Sequence, residues 1–433
     1  MSDARDQTLP PATREISRIA DDLFRNESGK LVSVLTRMFG IERMQLAEDV
    51  VQEALIRAMQ TWPYYGIPQN PAAWITQTAK HLALDVIRRE KSFQDKQPAI
   101  IFSLEQWSID TNGADSVVFE TEINDGRLRM LFACCHPSIP HDARVALALK
   151  LLCGFSTGEI ASAFLTSEAA IAKRITRAKQ RMRESNVSFE IPVGDELIER
   201  LGAVEQTLYL LFNEGYKASS GESIIREDLC DESIALTALL AEHPVGNTPR
   251  MHALLALMLL NAARIPARVD PSGHILRLSE QDRSRWDNAK IARGMHHFDQ
   301  SARGSELSEY HLQAGIAAYH CAAPDFDSTD WPKILALYDQ LLAADPSPVV
   351  ALNRAVAVAH VHGPQAGIMA VYAIPDRHLL ESYYLHYAVL GEFEAEAGRM
   401  DAASAHFKRA LELTEMHSER ELLEKRLREC NAK

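Results

Sequence analysis

Apolar residues recur along this chain at spacings of three and four, the period of a helix with one buried face. In "AEDVVQEALIRAMQTW", residues 47–62, Val51, Leu55, Ala58 and Trp62 fall on one side. In "AAWITQTAKHLALDVIRREK", residues 72–91, the inner face is Ile75, Ala79, Leu82 and Val86. Asn70 is placed to cap that helix and Pro71 suits its first turn. Residues 253–260 are apolar all around, the pattern of a helix with no solvent face. Val/Ile/Thr alternation is scarce, and no Asn-Gly hairpin signal sits between alternating runs. The pattern predicts an all-α protein.

One stretch has a second pattern superimposed. "STGEIASAFLTSEAAIAKRITRAKQRMRE", residues 156–184, predicts two short helices with a tight turn between them. Ser156 or Thr157 can cap the first, whose inner residues are Ile160, Ala161 and Phe164. Leu165 and Thr166 make the turn, and Ser167 caps the second. There Ile171, Ile175, Ala178 and Met182 share a narrow apolar face, while Lys173, Arg174, Arg177 and Arg181 gather on another. Residues 173–183 hold six Lys or Arg and no acid, so a helix-turn-helix with a basic reading face is expected. Free amides in the first turn behind Ser167 would suit a phosphate.

Charge sharpens this picture. The 433 residues carry a formal net charge of −13, which argues against a nucleic-acid binder until the charge is located. Residues 1–190 hold 23 basic and 24 acidic side chains, a net of −1; the remainder holds 23 and 35, a net of −12. The acidity belongs to the C-terminal half. No apolar run approaches a membrane span, the N-terminus lacks a signal-peptide core, and six scattered cysteines do not suggest a disulfide framework. A soluble, cytoplasmic protein is expected.

Two further surfaces invite function. Opposite the apolar face of residues 47–62 lie Asp49, Gln52, Glu53 and Gln60, with Ile56 among them. An apolar residue inside an acidic strip is chemistry for docking a protein. On the helix after "PYYGIPQNP", Trp74, Gln77, His81, Asp85 and Arg88 share a side. A ring with amides and cations suits unpaired bases, by stacking and phosphate neutralisation.

The acidic "AEDVVQEALIRA" helix, "NPAAWITQTAKHLALDVIRREK" and the later helix-turn-helix together resemble the sigma-70 family of bacterial transcription initiation factors. The short polar connector at 92–124 matches the compact extracytoplasmic-function (ECF) type, with regions 2 and 4 alone. The resemblance covers about residues 12–185. It implies that Asp49, Gln52, Glu53 and Ile56 dock on the clamp helices of the polymerase's largest subunit, with the flap as a further contact. It implies that Trp74, Lys80, His81 and Arg88, with the turn at 65–71, meet the −10 promoter strand. Ser167, Lys173, Arg174 and Arg177 would read the −35 element in the major groove. His81 stands where family members often have Asn, which leaves the −10 preference open.

"FACCHPSIPHD" brings Cys134, Cys135, His136 and His141 together, but adjacent cysteines diverge on a helix and no second pair follows at finger spacing. A packed helix end is expected there, with no metal and no cofactor. In the acidic half, Glu280, Asp282, Arg283, Arg285 and Asp287 are dense in charge. No nucleophile–base pair or phosphate loop accompanies them, so a salt-bridged structural loop is expected, not an enzyme.

Farther on, Tyr338, Tyr372 and Phe407 recur at 34 and 35 residues, and Gly363 and Gly398 at 35. In the last unit Leu390, Gly391, Gly398, Ala403, Phe407 and Ala410 stand where a tetratricopeptide repeat wants them. With "YLLFNEGY" and "SEQDRSRWD", the chain resembles the ECF subgroup whose long C-terminal extension contains tetratricopeptide-like repeats. That resemblance implies regulation by the extension and a protein partner for the repeats, such as a DGPF-motif protein. The expected domains are region 2 at 1–91, a linker at 92–124, region 4 at 125–187, a helical extension at 188–330 and repeats at 331–433. The rivals are a helix-turn-helix regulator with a ligand- or protein-sensing half, and a helical-repeat scaffold with a vestigial DNA module.

Overall fold

The computed structural model describes residues 27–89, 97–106, 126–164, 166–185, 187–216, 225–271, 274–414 and 416–431. Helices account for its regular structure; among the described residues one isolated antiparallel bridge, Val269 to Ile275, occurs and no strand. The chain divides into two compact units, residues 1–211 and 212–433. The dividing point lies inside the helix Asp195–Tyr216.

The first unit begins with α1 (27–39), followed by α2 (Met44–Tyr65) and α3 (Pro71–Arg89). All four predicted inner residues of α2 are buried: Val51, Leu55, Ala58 and Trp62. Gly66, at φ 83°, ends the helix in a backbone conformation that side chains rarely adopt. Asn70 Oδ1 then accepts from the Ala73 amide at 3.0 Å, capping α3 as its sequence predicts. On α3, Ile75, Ala79 and Leu82 are buried, but Val86 is only half-buried and Ile87 takes the core position. Ala83 and Leu84 are buried too, so the inner face is wider than a four-residue stripe. The connector is not wholly irregular: α4 (Gln97–Gln106) is helical because "AIIFSL" supplies Ile100 and Leu104 to the core.

The remaining helices of this unit are α5 (126–134), α6 (His141–Leu151), α7 (Thr157–Ala163) and α8 (Glu168–Glu184), leading to α9 (Asp195–Tyr216). Two close backbone approaches tie α1 to the later helices. A Cβ on Gly29 would lie 1.9 Å from the Leu152 carbonyl oxygen, and one on Gly126 would lie 3.4 Å from Ser33 backbone.

The second unit starts with α10 (Glu227–Glu242), α11 (Pro249–Ala262), α12 (Asn288–Ser301) and α13 (Glu309–Ala322). Helix α11 packs against the other three, which is why residues 253–260 need no polar face. Thr248 caps it through the Met251 amide at 3.2 Å. In the loop before α12, Glu280 pairs with Arg277 and Lys425, both at 3.1 Å. Asp287 caps α12 through the Lys290 amide, and Arg283 donates to the His320 and Ala323 carbonyls. Glu280 thus forms ion pairs, Asp282, Arg283 and Asp287 satisfy backbone groups, and Arg285 is exposed.

From α14 (Trp331–Ala344) each helix packs on the next through α15 (Pro348–His362), α16 (Pro364–Tyr372), α17 (Tyr384–Glu396), α18 (Met400–Leu413) and α19 (His417–Asn431). Phe407 is fully buried against Gly391, where a Cβ would come 2.7 Å from the ring. Gly363 and Gly398 occupy equivalent places between paired helices, at φ 89° and 76°. The 35-residue period breaks at Tyr372: its ring is 48% exposed and sits beside Arg377. The 3₁₀ turn Arg377–Leu380 replaces a long second helix there, and leaves no groove for the ring to fill.

No disulfide joins the six cysteines, five of which are buried and one, Cys321, half-buried. Burial pushes the Cys135 and Cys321 thiols up to about 11 and Cys230 up to about 12. No described helix is long and apolar enough to cross a membrane.

Candidate protein and nucleic-acid interfaces

Helix α2 turns its predicted docking strip outward. Asp49, Gln52, Glu53 and Ile56 are all exposed, Ile56 by 39%. Met59, one turn on, is 50% exposed and extends the apolar part of the strip, a residue the acidic pattern had not singled out. Asp49 accepts from Gln45 and Glu53 pairs with Arg57, each four residues away, so the carboxylates are oriented along the helix without being buried. The fold spends no core contact on Ile56.

On α3, Gln77 and His81 hydrogen-bond at 3.0 Å, and His81, Asp85 and Arg88 are exposed. Trp74 is half-buried, edge-on to Trp62 at 5.6 Å, so part of its ring is held by the core and part is open. Lys80 is half-buried on the same helix. Among the described residues of this unit the most exposed aromatics are Tyr64 and Tyr65, at 85% and 86%, beside the Gly66 turn. The sequence signal for them was the Tyr-Tyr-Gly step itself, which reads equally well as a plain turn.

The two-helix unit is built as its caps require. The Ser156 hydroxyl accepts from the Glu159 amide at 3.1 Å while Glu159 accepts from the Ser156 amide at 2.8 Å, a reciprocal capping box. Ser167 caps α8 through the Ala170 amide at 3.2 Å. Thr157 donates to Glu168 at 2.7 Å and links the two helix starts. Leu165 lies outside the described residues, and Phe164 belongs to the turn, half-buried under Arg174 at 5.9 Å. Ile171, Ile175, Ala178 and Met182 are all buried.

Outward, Lys173, Arg177 and Arg181 are exposed, whereas Arg174 is half-buried and pairs with Asp142 at 3.4 Å. Lys179 leaves the basic face altogether. It forms a 2.5 Å ion pair with Glu48 of α2, both side chains about 15% exposed or less, and bonds Gln45 at 3.4 Å. A cavity of about 240 Å³ beside this pair is lined by Val51, Lys150 and Thr176 as well. Burial lowers the Lys150 pKa there, with Glu48 acting in the opposite sense.

The Cys134 and Cys135 thiols point into the core, where Cys135 donates to Thr207 at 3.4 Å, and His136 bonds Ser138 at 2.7 Å. Cys134, Cys135 and His136 therefore serve packing and a turn, and His141 is exposed at the start of α6.

Comparison with known proteins matches the same segments. Sigma-70 region 2 matches residues 23–93 and sigma-70 region 4 matches residues 129–182. A family of unknown function (DUF6596) matches residues 200–302. An uncharacterized protein of Rhizobium meliloti (strain 1021) is 38% identical over 392 residues, 90% of each chain. The ECF RNA polymerase sigma factor SigL of Mycobacterium tuberculosis is 28% identical over 138 residues, 32% of this chain and 72% of SigL. The probable RNA polymerase sigma factor RfaY of Xanthomonas campestris is 26% identical over 137 residues, 32% of this chain and 33% of RfaY. No solved structure matches.

Proposed function

We propose that this chain, which belongs to the sigma-70 family as an ECF-like sigma factor, is a dissociable polymerase subunit whose second unit controls its use. The observation that carries the reading is the α2 strip: Ile56 and Met59 stand exposed among Asp49, Gln52 and Glu53, where a fold without a partner gains nothing from them. Core polymerase docks there, the largest-subunit clamp helices taking the apolar residues and their basic groups the carboxylates.

The promoter meets two other faces. Trp74, Lys80, His81 and Arg88, helped by Tyr64 and Tyr65, hold the melted −10 strand by stacking and phosphate contact. Ser167, Lys173, Arg174 and Arg177 address the −35 major groove, with Arg174 leaving Asp142 to do so. The factor initiates transcription and catalyses no reaction of its own. Residues 188–330 and the tetratricopeptide-like repeats at 331–433 act as the regulatory extension, receiving a protein partner such as a DGPF-motif protein.

The experiment is multi-round transcription with purified core polymerase and a promoter library. The intact chain is compared with one ending at residue 211, which keeps Thr207 against Cys135. Promoter-specific transcripts from the intact chain, changed in amount by the truncation, are expected. Absence of transcripts, with tight duplex binding in the absence of polymerase, would favour a ligand-sensing helix-turn-helix regulator instead.

A further inference from the structure

Within the second unit lies a cavity of about 480 Å³ that none of the interfaces above uses. Its size is that of a small-molecule site. Part of its wall is aromatic. The Trp331 and His360 rings stack with centroids 3.8 Å apart, and Phe326 meets both edge-on at 5.7 and 5.5 Å. Tyr384 and Leu385 line it as well. Partial burial lowers the His360 pKa and so disfavours a positive charge on this ring.

The charged groups in the wall decide what can enter. Each arginine is already committed. Arg268 lies over the Tyr216 ring at 4.0 Å and donates to the Tyr216 carbonyl. Arg277 pairs with Glu280 at 3.1 Å and Glu392 at 3.4 Å. Arg426 grips both oxygens of Glu392 at 2.7 Å. Of the carboxylates, Glu392 is thus neutralised, and Glu419 accepts from the Tyr384 and Thr414 hydroxyls. Glu396 alone among the wall's charged groups has no hydrogen-bond or ion-pair partner among the described residues. Glu396 is exposed at the edge of the cavity; partial burial first, and the neighbouring Glu392 second, hold its carboxyl above the usual range, with Arg277 and Arg426 offsetting them in part. No cation of the wall is paired with Glu396.

We propose that this cavity binds a lipophilic organic cation, its charge facing Glu396 and its apolar groups against the Trp331–His360 stack and Tyr384. An anion would have to take an arginine from Glu392 or from Tyr216. A small metal ion would meet one carboxylate and apolar walls, too few oxygens to replace its water. A diffuse cation carried on rings is weakly hydrated, gains from aromatic faces and needs one carboxylate.

The probe is tetraphenylphosphonium, titrated into the full chain by calorimetry. Saturable binding at one site is expected. Glu396→Gln should weaken it at least about tenfold, Trp331→Ala should weaken it as well, and Glu424→Gln, outside the cavity, should leave it unchanged. Tetraphenylborate, the same shape with the opposite charge, should bind far more weakly than the phosphonium. No binding by the intact chain, equal affinity in Glu396→Gln, or equal affinity for the borate would each overturn the proposal. Because Glu396→Gln alters a cavity-facing carboxylate, and its melting can be checked separately, misfolding of the Trp331 variant does not blur the outcome. No polymerase is present, so this result stands apart from that of the transcription experiment.

Discussion

Lys179 on α8 and Glu48 on α2 are joined by a 2.5 Å ion pair largely shielded from water. It draws α8 onto α2, the two helices that would meet different partners. If α2 serves the polymerase and α8 the −35 element, as proposed above, promoter capture should separate the two helices and break this pair.

Removing one partner of that pair leaves a shielded charge without its counterpart. Glu48→Gln should lower thermal stability by about 1–3 kcal/mol. Glu48→Gln with Lys179→Met should lose less than Glu48→Gln alone. Melting curves of the wild type, both single variants and the double variant measure the coupling; additive losses would mean the pair contributes nothing.

Ile56→Asp should leave melting within about 0.5 kcal/mol of wild type, because the side chain is exposed. Its affinity for core polymerase should fall by about 2 kcal/mol or more, roughly thirtyfold. Fluorescence anisotropy of labelled chain against core polymerase separates the two readouts.

Arg177 is exposed on the basic face. Arg177→Ala should reduce discrimination among −35 variants by about 1–3 kcal/mol while leaving −10 variants ranked as before. Ile171→Asp, which buries a charge in the same helix, should instead unfold the unit. Transcription from a matrix of −35 and −10 variants is the measurement.

Gly391→Ala forces a methyl group to within 2.7 Å of the Phe407 ring and should destabilise the second unit by about 1–3 kcal/mol. Phe407→Ala should cost about 3–5 kcal/mol through the cavity it leaves. Denaturant unfolding followed by the far-ultraviolet signal checks both.

Glu280 sets part of the acid limit. Burial would raise its pKa, but the Arg277 side chain and amide, with Lys425, outweigh burial and bring it down to about 2. A depressed carboxylate stabilises the fold above its unfolded value of about 4.3 and loses that contribution as pH falls toward 2. The stability difference between wild type and Glu280→Gln should therefore shrink between about pH 5 and pH 2, from an initial value that solvent screening holds to about 1 kcal/mol. A constant difference across that range would mean the ion pairs are not formed in solution.

Much of this was legible in the sequence because it is local. The Ser156, Ser167 and Asn70 caps, the inner faces of α2 and α8 and the Gly391–Phe407 contact all follow from residues within a few turns of one another. What was missed depends on distant partners. Lys179 belongs by spacing to a uniform basic run, and only the approach of α2 gives it Glu48. Val86 and Ile87 are interchangeable by hydrophobicity, so the packing angle of α3 chooses between them. Tyr372 keeps the period of a buried aromatic, yet the short turn after it removes the groove.

The burial of every cysteine but one, and the raised thiols at Cys135, Cys230 and Cys321, make the native chain a poor substrate for thiol reagents. A maleimide dye would therefore choose a cysteine introduced on the surface over the native six. A cysteine introduced on α2 outside the docking strip, with Thr176→Cys on α8, would carry a donor and an acceptor without disturbing the native sulfurs. The separation of those helices on meeting polymerase and promoter can then be timed in single molecules.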